Sequence, residues 1–323
     1  MTASGCSWGN LVPEPASSLV VVGGCGRVGT RFIRLAKTEL PGRPIVSDDR
    51  VSPPTERQGV LELRGNAADP SSGLLAMLRS LGTFDLVLLS ALITDESDGL
   101  QRMEALFEAN AIGAVAIARA RRANLGKVVF ASSVEVYGPP ERNAPFREEQ
   151  PPAPVTAYGV TKLAGELALT ALCHELGLSC VTLRFTSIYG SAPPLGNALE
   201  GFFERASRGE HLVVFGDGSA RRDFLHVDDA ARALVAALHF PDSGVFNIAH
   251  PQVLTMGGLA RLAVETVGAG TVVHATQRGP LADRVMDTTR MTRRLTFEPR
   301  VEAAEGLRRL SAAAGPTSVP PGQ

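Results

Sequence analysis

The feature that most constrains the fold is the regular alternation of short β-branched runs with longer amphipathic runs in the first half of the chain. Short strands are predicted at 18–22, 44–48, 60–63, 85–91, 127–132 and 179–185, and helices at 27–37, 71–81, 98–123 and 157–176. Strands that alternate with helices of this length predict βαβ units and a parallel sheet. Right-handed crossovers then bring the carboxyl ends of the strands to one edge, where ligands bind in such sheets.

Three glycines lie at the junction of the first predicted strand and the first predicted helix. Gly23, Gly26 and Gly29 have the spacing G-x-x-G-x-x-G. Glycine allows a sharp turn and a close approach of the backbone to a pyrophosphate, and the helix N-terminus supplies N–H groups and a partial positive charge. We therefore predict a dinucleotide site on this turn, which also includes Arg27 and Val28.

The end of the second predicted strand bears on the choice of dinucleotide. Asp48 lies nineteen residues after Gly29. A carboxylate there would accept hydrogen bonds from both adenosine ribose hydroxyls and repel a 2′-phosphate, which favours NAD over NADP. Two alternatives stay open: Arg27 or Arg50 could bind a phosphate at that edge, and Asp48 could belong to a solvated turn.

After Gly190 the alternation is interrupted by prolines and glycines, and helices are predicted at 201–206, 228–238, 256–267 and 303–313. We predict an α/β protein with a Rossmann-type, doubly wound parallel sheet and a smaller, mixed C-terminal substrate-binding lobe. Residues 18–190 would form the NAD-binding domain, with 223–250 returning to it, and 191–222 and 251–313 would form the lobe. Residues 1–17 and 314–323 are rich in Ser, Pro, Gly and Ala and are predicted to be flexible tails.

Composition argues against several classes of partner. The formal net charge is −1 without any block of like charges, so nucleic acid and anionic membranes are not expected as partners. The longest apolar stretch, 86–93, is too short to span a bilayer. Four scattered cysteines (Cys6, Cys25, Cys173 and Cys180) have no metal-ligand spacing, so no metal is expected and a reducing cytoplasm is the predicted location.

A phenol and an ammonium lie one helical turn apart on the predicted helix after the fifth strand. They are Tyr158 and Lys162, and the fifth strand ends at Ser132-Ser133. Lys162 and a positively charged nicotinamide ring would both lower the phenol pKa toward neutrality. Tyr158 could then exchange a hydroxyl proton while hydride moves to or from the cofactor, with Ser133 hydrogen-bonded to the same substrate oxygen.

Five motifs occur in an order that is specific when they are taken together. They are Val22-Gly23-Gly24-Cys25-Gly26-Arg27-Val28-Gly29, Ser132-Ser133-Val134-Glu135-Val136-Tyr137-Gly138, Tyr158-Gly159-Val160-Thr161-Lys162, Arg184-Phe185-Thr186-Ser187-Ile188-Tyr189-Gly190, and the run from Gly216 to Asp229. From about Leu19 to Leu310 the chain resembles the extended short-chain dehydrogenase/reductase family, the NAD-dependent sugar epimerases and dehydratases.

The resemblance implies further site residues. Asn66 and Ala67 would lie at the adenine, Ala91 would lie along the cofactor, and Lys162 would also bind the nicotinamide ribose. Arg222, and in a looser alignment Arg278, would clamp the pyrophosphate of a nucleotide sugar, a role that suits a planar guanidinium. Asn110 would have a structural role. The helices at 98–123 and 157–176 resemble the pair that forms the family's homodimer interface.

The chain departs from the family pattern at two informative positions. Ser187 replaces an asparagine that normally helps to hold the substrate phosphate. Glu135 occupies a position that is Glu in sugar dehydratases and UDP-glucuronate decarboxylases, where a carboxylate could take the acidified proton beside a keto group. The acidic neighbour that dehydratases usually pair with it is replaced by Val134, and Glu135 could instead be a structural carboxylate.

Three functions are therefore weighed. The leading one is an NAD-dependent epimerase/dehydratase that acts on a nucleotide sugar through a transient keto intermediate. Loss of the phosphate-binding asparagine at Ser187 keeps open a dehydrogenase or reductase of a non-nucleotide sugar or alcohol. The third is a non-catalytic NAD-binding regulator, against which the intact set of Ser133, Tyr158 and Lys162 argues.

Overall fold

The computed structural model describes residues 18–53, 55–66, 68–69, 71–89, 102–120, 124–140, 144–190, 196–276 and 282–314. Within these ranges the strands are β1 (Ser18–Val22), β2 (Ile45–Asp49), β3 (Val60–Arg64), β4 (Phe84–Leu88), β5 (Leu125–Ser133), β6 (Ser179–Phe185), β7 (Ser187–Tyr189), β8 (His211–Phe215), β9 (Arg221–Arg222), β10 (Phe224–His226), β11 (Gly244–Ile248), β12 (Leu254–Thr255) and β13 (Thr271–Ala275). The helices are α1 (Arg27–Glu39), α2 (Gly73–Leu78), α3 (Met103–Phe107), α4 (Gly113–Ala120), α5 (Ala157–Leu176), α6 (Ala198–Ser207), α7 (Val227–His239), α8 (Met256–Val267), α9 (Thr289–Arg293) and α10 (Ala303–Ala314).

Seven strands form one parallel sheet in the order β3-β2-β1-β4-β5-β6-β11. The chain builds outward from β1 to β3 and then crosses back to β4, so the winding direction reverses between β1 and β4. Every residue of these two central strands is buried, which is typical of parallel strands that helices cover on both faces. The predicted doubly wound α/β fold is confirmed, and its switch point lies where the glycine turn leaves β1.

Two apolar layers cover the sheet. Helices α1 and α7 pack together on one face, where Phe32 and Leu234 belong to the same buried cluster. On the other face α2 and α5 contribute Leu74 and Leu169 to a second cluster. Helix α5 has the predicted bounds because both ends are capped: the Thr156 hydroxyl accepts a hydrogen bond from the N–H of Gly159, and the chain turns into the left-handed region at Gly177.

The C-terminal part adds a third apolar cluster, to which α6, α8 and α10 contribute Phe202, Leu259 and Leu307. Its small sheets are the pairs β8–β13, β9–β12 and β7–β10. Strand β11 pairs with β6 and completes the main sheet. The strands β8, β11 and β13 are absent from the sequence prediction, and the proposed division into an NAD-binding domain and a lobe stays a prediction.

The long helix predicted at 98–123 is interrupted. Within 102–120 it consists of α3, a wider π-helical turn over Glu108–Ile112, and α4. The amide of Asn110, buried in this turn, donates to the Thr161 hydroxyl of α5 at 3.0 Å. This contact joins the two helices at the π-helical turn, where the backbone departs from regular α-helical periodicity.

Two other elements are shorter at one or both ends than predicted. The helix predicted at 71–81 is limited to α2, where the Ser72 hydroxyl accepts a hydrogen bond from the N–H of Leu75. The fourth strand, predicted to reach Ala91, ends at Leu88, and Ala91 lies outside the described residues. A search of the described ranges finds no helix that is long and apolar enough to cross a membrane, and no group of three metal-binding side chains.

Candidate active site

The glycine turn between β1 and α1 is built by close backbone contacts. A Cβ on Gly29 would lie 2.3 Å from the carbonyl oxygen of Gly23 and 2.8 Å from the Cα of Gly24, so only glycine fits there. Gly23 itself has a φ of +84°, in the left-handed region. Gly26 begins α1 without a side-chain cap, which leaves the N–H groups of the first turn to a ligand.

A half-buried arginine that the sequence pattern does not reveal holds this turn by hydrogen bonds. Arg57 donates to the carbonyl of Gly24 at 2.7 Å and to the Ser47 hydroxyl at 2.8 Å. Its charge is neutralised by Glu62, whose two oxygens each lie 2.6 Å from the guanidinium. Because Arg57 is fully engaged in holding the turn, its charge is compensated within the protein.

The carboxylate predicted to bind ribose is buried and lacks a partner on one oxygen. Asp48 is 1% exposed, and its Oδ1 has no hydrogen-bond partner. Burial, and to a lesser extent the neighbouring Asp49, raises the Asp48 pKa to about 6. A buried, unpaired carboxylate oxygen is costly unless a donor reaches it, so Asp48 fits a ribose hydroxyl of a bound dinucleotide.

The neighbours of Asp48 are already engaged. An oxygen of Asp49 accepts a hydrogen bond from the N–H of Cys25 at 2.9 Å, within the glycine turn. Arg50 lies 3.4 Å from the amide oxygen of Asn66 and 3.7 Å from Glu108. Arg50 therefore lies at the predicted adenine edge, and the other residue predicted there, Ala67, lies outside the described residues.

The proposed proton-transfer groups meet where β5 ends and α5 begins. Ser133 is 9% exposed, and its hydroxyl is hydrogen-bonded to the Tyr158 side chain and accepts from the N–H of Glu135 at 3.2 Å. A Cβ on Gly159 would lie 2.5 Å from the carbonyl oxygen of Glu135. Glycine at this position therefore lets α5 approach the turn closely enough to bring Tyr158, Ser133 and Glu135 together.

The pKa of Tyr158 differs from the prediction made from the motif alone. Burial raises it to about 12, the hydrogen bond from Ser133 opposes this, and the charge of Glu135 adds to it. Without cofactor the shift is upward, because removal of the phenol from water outweighs the effect of nearby groups. The protein's own residues therefore keep Tyr158 protonated at neutral pH. The lowering toward neutrality, which also requires the nicotinamide ring, stays a prediction.

Lys162 lies almost fully buried, 1% exposed, with its ammonium 4.7 Å from the centre of the Phe130 ring. Burial lowers its pKa to about 7, and the negative charge of Glu166 opposes the shift. Glu166 is itself held by Arg184 through contacts of 2.7 and 3.1 Å and by the Ser132 hydroxyl. Glu166 follows Lys162 at i+4 on α5, a spacing that could have identified it.

An arginine pair faces this cluster from the C-terminal part of the chain. The guanidinium of Arg284 donates to Glu135 at 2.7 Å. Arg222 donates to the carbonyls of Arg221 and Ala282, both at 2.8 Å. Burial and the positive charge of Arg284 lower the Arg222 pKa, and the backbones of the two residues form a β-bridge.

Two further residues, Ser187 and Arg278, are predicted to bind the substrate. Ser187 is exposed on β7 and pairs in register with Phe224, two residues after Arg222. Arg278 lies outside the described residues. The sequence pattern also does not reveal Arg284, whose partner Glu135 lies 149 residues earlier in the chain.

The fold and the glycine turn define a dinucleotide-binding α/β protein, and comparisons with known proteins identify its family. The model of the NAD dependent epimerase/dehydratase family matches residues 19–249. The chain belongs to this family of enzymes, so the resemblance found in the sequence is confirmed, and NAD is the cofactor.

Individual relatives agree with this assignment. A dTDP-glucose 4,6-dehydratase from Streptomyces niveus is 30% identical over 307 residues, which cover 90% of each chain. A UDP-glucose 4-epimerase from Mycolicibacterium smegmatis is 33% identical over 206 residues, 61% of this chain and 66% of that one. The structure of MoeE5 with UDP-glucuronic acid and NAD is 26% identical, with a TM-score of 0.77 over 92% of this chain and 99% of that one.

Proposed function

We propose that this enzyme converts a nucleotide sugar through a transient keto intermediate, with no net consumption of NAD. The carrying observation is the cluster of Ser133, Tyr158 and Glu135, which lies at the end of β5 and is reached by Arg284. Proton-transfer groups beside an arginine pair suit an anionic substrate whose reacting hydroxyl is held next to a cofactor. Relatives that act on or bind UDP-sugars and dTDP-glucose support this substrate class.

In the proposed reaction Tyr158 takes the proton of a sugar hydroxyl, and Ser133 hydrogen-bonds the same oxygen. NAD, when bound, supplies the hydride acceptor and a positively charged ring. Lys162, whose pKa is lowered to about 7 by burial, supplies a second positive charge when it is protonated. Tyr158 needs this charge, because burial raises its pKa to about 12 in the protein alone.

Glu135 favours dehydration or decarboxylation over simple epimerisation within this proposal. Its N–H donates to the Ser133 hydroxyl at 3.2 Å, so Glu135 lies beside the groups proposed for proton transfer. Its carboxylate accepts a charge-assisted hydrogen bond from the guanidinium of Arg284 at 2.7 Å. The extensive similarity to a dTDP-glucose 4,6-dehydratase supports the same preference.

The test is product analysis by NMR and mass spectrometry after incubation of the purified enzyme with dTDP-glucose, UDP-glucose or UDP-glucuronic acid, without added cofactor. Loss of water or carbon dioxide is expected for the Glu135 reaction, and an isomer of unchanged mass would indicate epimerisation. Tyr158→Phe should abolish turnover. The control Tyr137→Phe, which removes a buried hydroxyl that donates to the Asn247 side chain, should leave turnover intact. Stoichiometric NADH would favour the dehydrogenase alternative, and a Tyr158→Phe variant with full biological function would favour the regulator.

We also propose that the enzyme is a homodimer. Apolar side chains are exposed on α5 and on the π-helical turn beside it: Leu167 is 64%, Ile112 52% and Val160 37% exposed. Apolar side chains on one helical surface favour burial against a second copy. Light scattering after gel filtration should give twice the chain mass, and Leu167→Arg should reduce it to that of one chain.

A further inference from the structure

The contact between Arg284 and Glu135 raises the question of what each group does when substrate binds. The two side chains are 33% and 28% exposed, and Arg284 Nη2 lies 2.7 Å from Glu135 Oε1. With Arg222 beside them the three groups carry two positive charges and one negative charge. The carboxylates nearest in sequence are engaged elsewhere, since Asp283 pairs with Arg221, and Asp223 accepts from Thr186 and from the N–H of Met286.

Both arginines are anchored by their backbones. The N–H of Arg284 donates to the carbonyl of Arg221 at 2.9 Å, and Arg284 forms a β-bridge with Arg222. Arg222 is further restrained because its guanidinium donates to two backbone carbonyls. The guanidinium of Arg284 is hydrogen-bonded to the side chain of Glu135. A rotation of the Arg284 side chain can therefore bring the guanidinium to a new anion without movement of the backbone.

We propose that Arg284 is shared between Glu135 and the diphosphate of the substrate: it pairs with Glu135 before binding and turns to the phosphate afterwards. This inference rests on the proposed function, because it requires a nucleotide sugar as substrate. While Arg284 is paired with Glu135, its guanidinium engages one of the two carboxylate oxygens, Oε1. Binding of the diphosphate therefore frees that oxygen only when a substrate is in the site, which makes Arg284 a positioning residue for the reaction.

If Arg284 is shared, its hydrogen bond to Glu135 competes with its binding to the diphosphate. Removal of the Glu135 carboxylate should then tighten the binding of a nucleoside diphosphate. Titration calorimetry with UDP and with dTDP, in the presence of NAD, would measure wild type, Glu135→Gln, Arg284→Gln and the double variant. Glu135→Gln should tighten binding about fivefold, the equivalent of about 1 kcal/mol. Arg284→Gln should weaken binding about tenfold, and in its background Glu135→Gln should have no effect.

Arg221→Gln is the matched control. It removes an exposed guanidinium of β9 that pairs with Asp283 and does not contact Glu135. In the Arg221→Gln background Glu135→Gln should still tighten binding about fivefold. Arg284→Lys, which keeps the charge, provides a second variant if Arg284→Gln proves unstable in thermal unfolding, and it should restore part of the lost affinity.

Three results separate the possible failures. If Glu135→Gln tightens binding equally with and without Arg284, the carboxylate repels the phosphate directly, and sharing is wrong. If Glu135→Gln as a single substitution leaves binding unchanged or weakens it, Arg284 does not leave Glu135 for the phosphate, and the proposal of sharing is again wrong. If neither UDP nor dTDP binds the wild type, the proposed function itself fails.

Discussion

Replacing Lys162 by methionine is expected to stabilise the protein while it abolishes catalysis. Lys162 is 1% exposed, and burial lowers its pKa from 10.5 to about 7. The folded protein therefore holds the lysine proton much less tightly than the unfolded chain does. Methionine has a similar length and no charge, so it fills the same space without the cost of removing an ammonium from water.

The size of the effect follows from the two pKa values. Each pK unit corresponds to about 1.4 kcal/mol, so the difference between 10.5 and about 7 amounts to a cost on the order of 4 kcal/mol near pH 7. Since the unfolded chain binds more protons than the folded protein between these pKa values, the stability of the wild type rises with pH in that window. The advantage of Lys162→Met is therefore largest at pH 7 and below and disappears toward pH 10.5.

Urea unfolding without NAD, at about pH 7 and about pH 9.5, measures both features. Lys127→Met is the comparison variant, because burial also lowers the pKa of Lys127, and this substitution removes a donor from the carbonyls of Leu238 and Phe240 at the end of α7. The comparison variant should lose about 1–2 kcal/mol, since it leaves those carbonyls without this donor. If Lys162→Met lowers the stability at neutral pH, or shifts it equally at both pH values, burial of the ammonium is not the cost that we infer.

Three other outcomes follow from the site. Burial raises the pKa of all three tyrosines, that of Tyr158 to about 12, so in an ultraviolet titration without NAD tyrosinate should form only at a higher pH than in free tyrosine; tyrosinate at neutral pH would contradict this. Gly159→Ala places a Cβ 2.5 Å from the Glu135 carbonyl and should lower stability by about 2 kcal/mol, whereas Gly201→Ala, with open space around its Cβ, should be neutral or stabilising in the same thermal unfolding assay. Asp48→Asn should weaken NAD binding about tenfold and NADP binding less, as measured by calorimetry; an equal loss for both would remove Asp48 from the ribose site.

The parts of the fold that were predictable from the sequence are those whose signals are local. Helix α5 has the predicted bounds because a Thr156 cap and a Gly177 stop are present in the sequence itself, and the apolar strand β6 also has its predicted bounds. The interruption of the preceding helix instead coincides with a hydrogen bond between Asn110 and Thr161, which lie 51 residues apart in the sequence. Periodicity reports which face of a helix is apolar, and it carries no information about such a contact.

The candidate site divides in the same way, and the division has a chemical consequence. The motif identified Tyr158 and Lys162, and from it we expected the charge of Lys162 to lower the Tyr158 pKa. In the structure burial is the largest cause of both pKa shifts, and burial is a property of the assembled fold. The cation that reaches Glu135 comes from Arg284, in the part of the chain that contributes the small C-terminal sheets. Glu135 follows β5 of the main sheet, and Arg284 comes from the C-terminal part of the chain. A ligand that binds between these two parts can therefore change the contact between the proposed base and its cation. The acid–base behaviour of this site is therefore set by how the two parts meet as much as by the motif that first identified it.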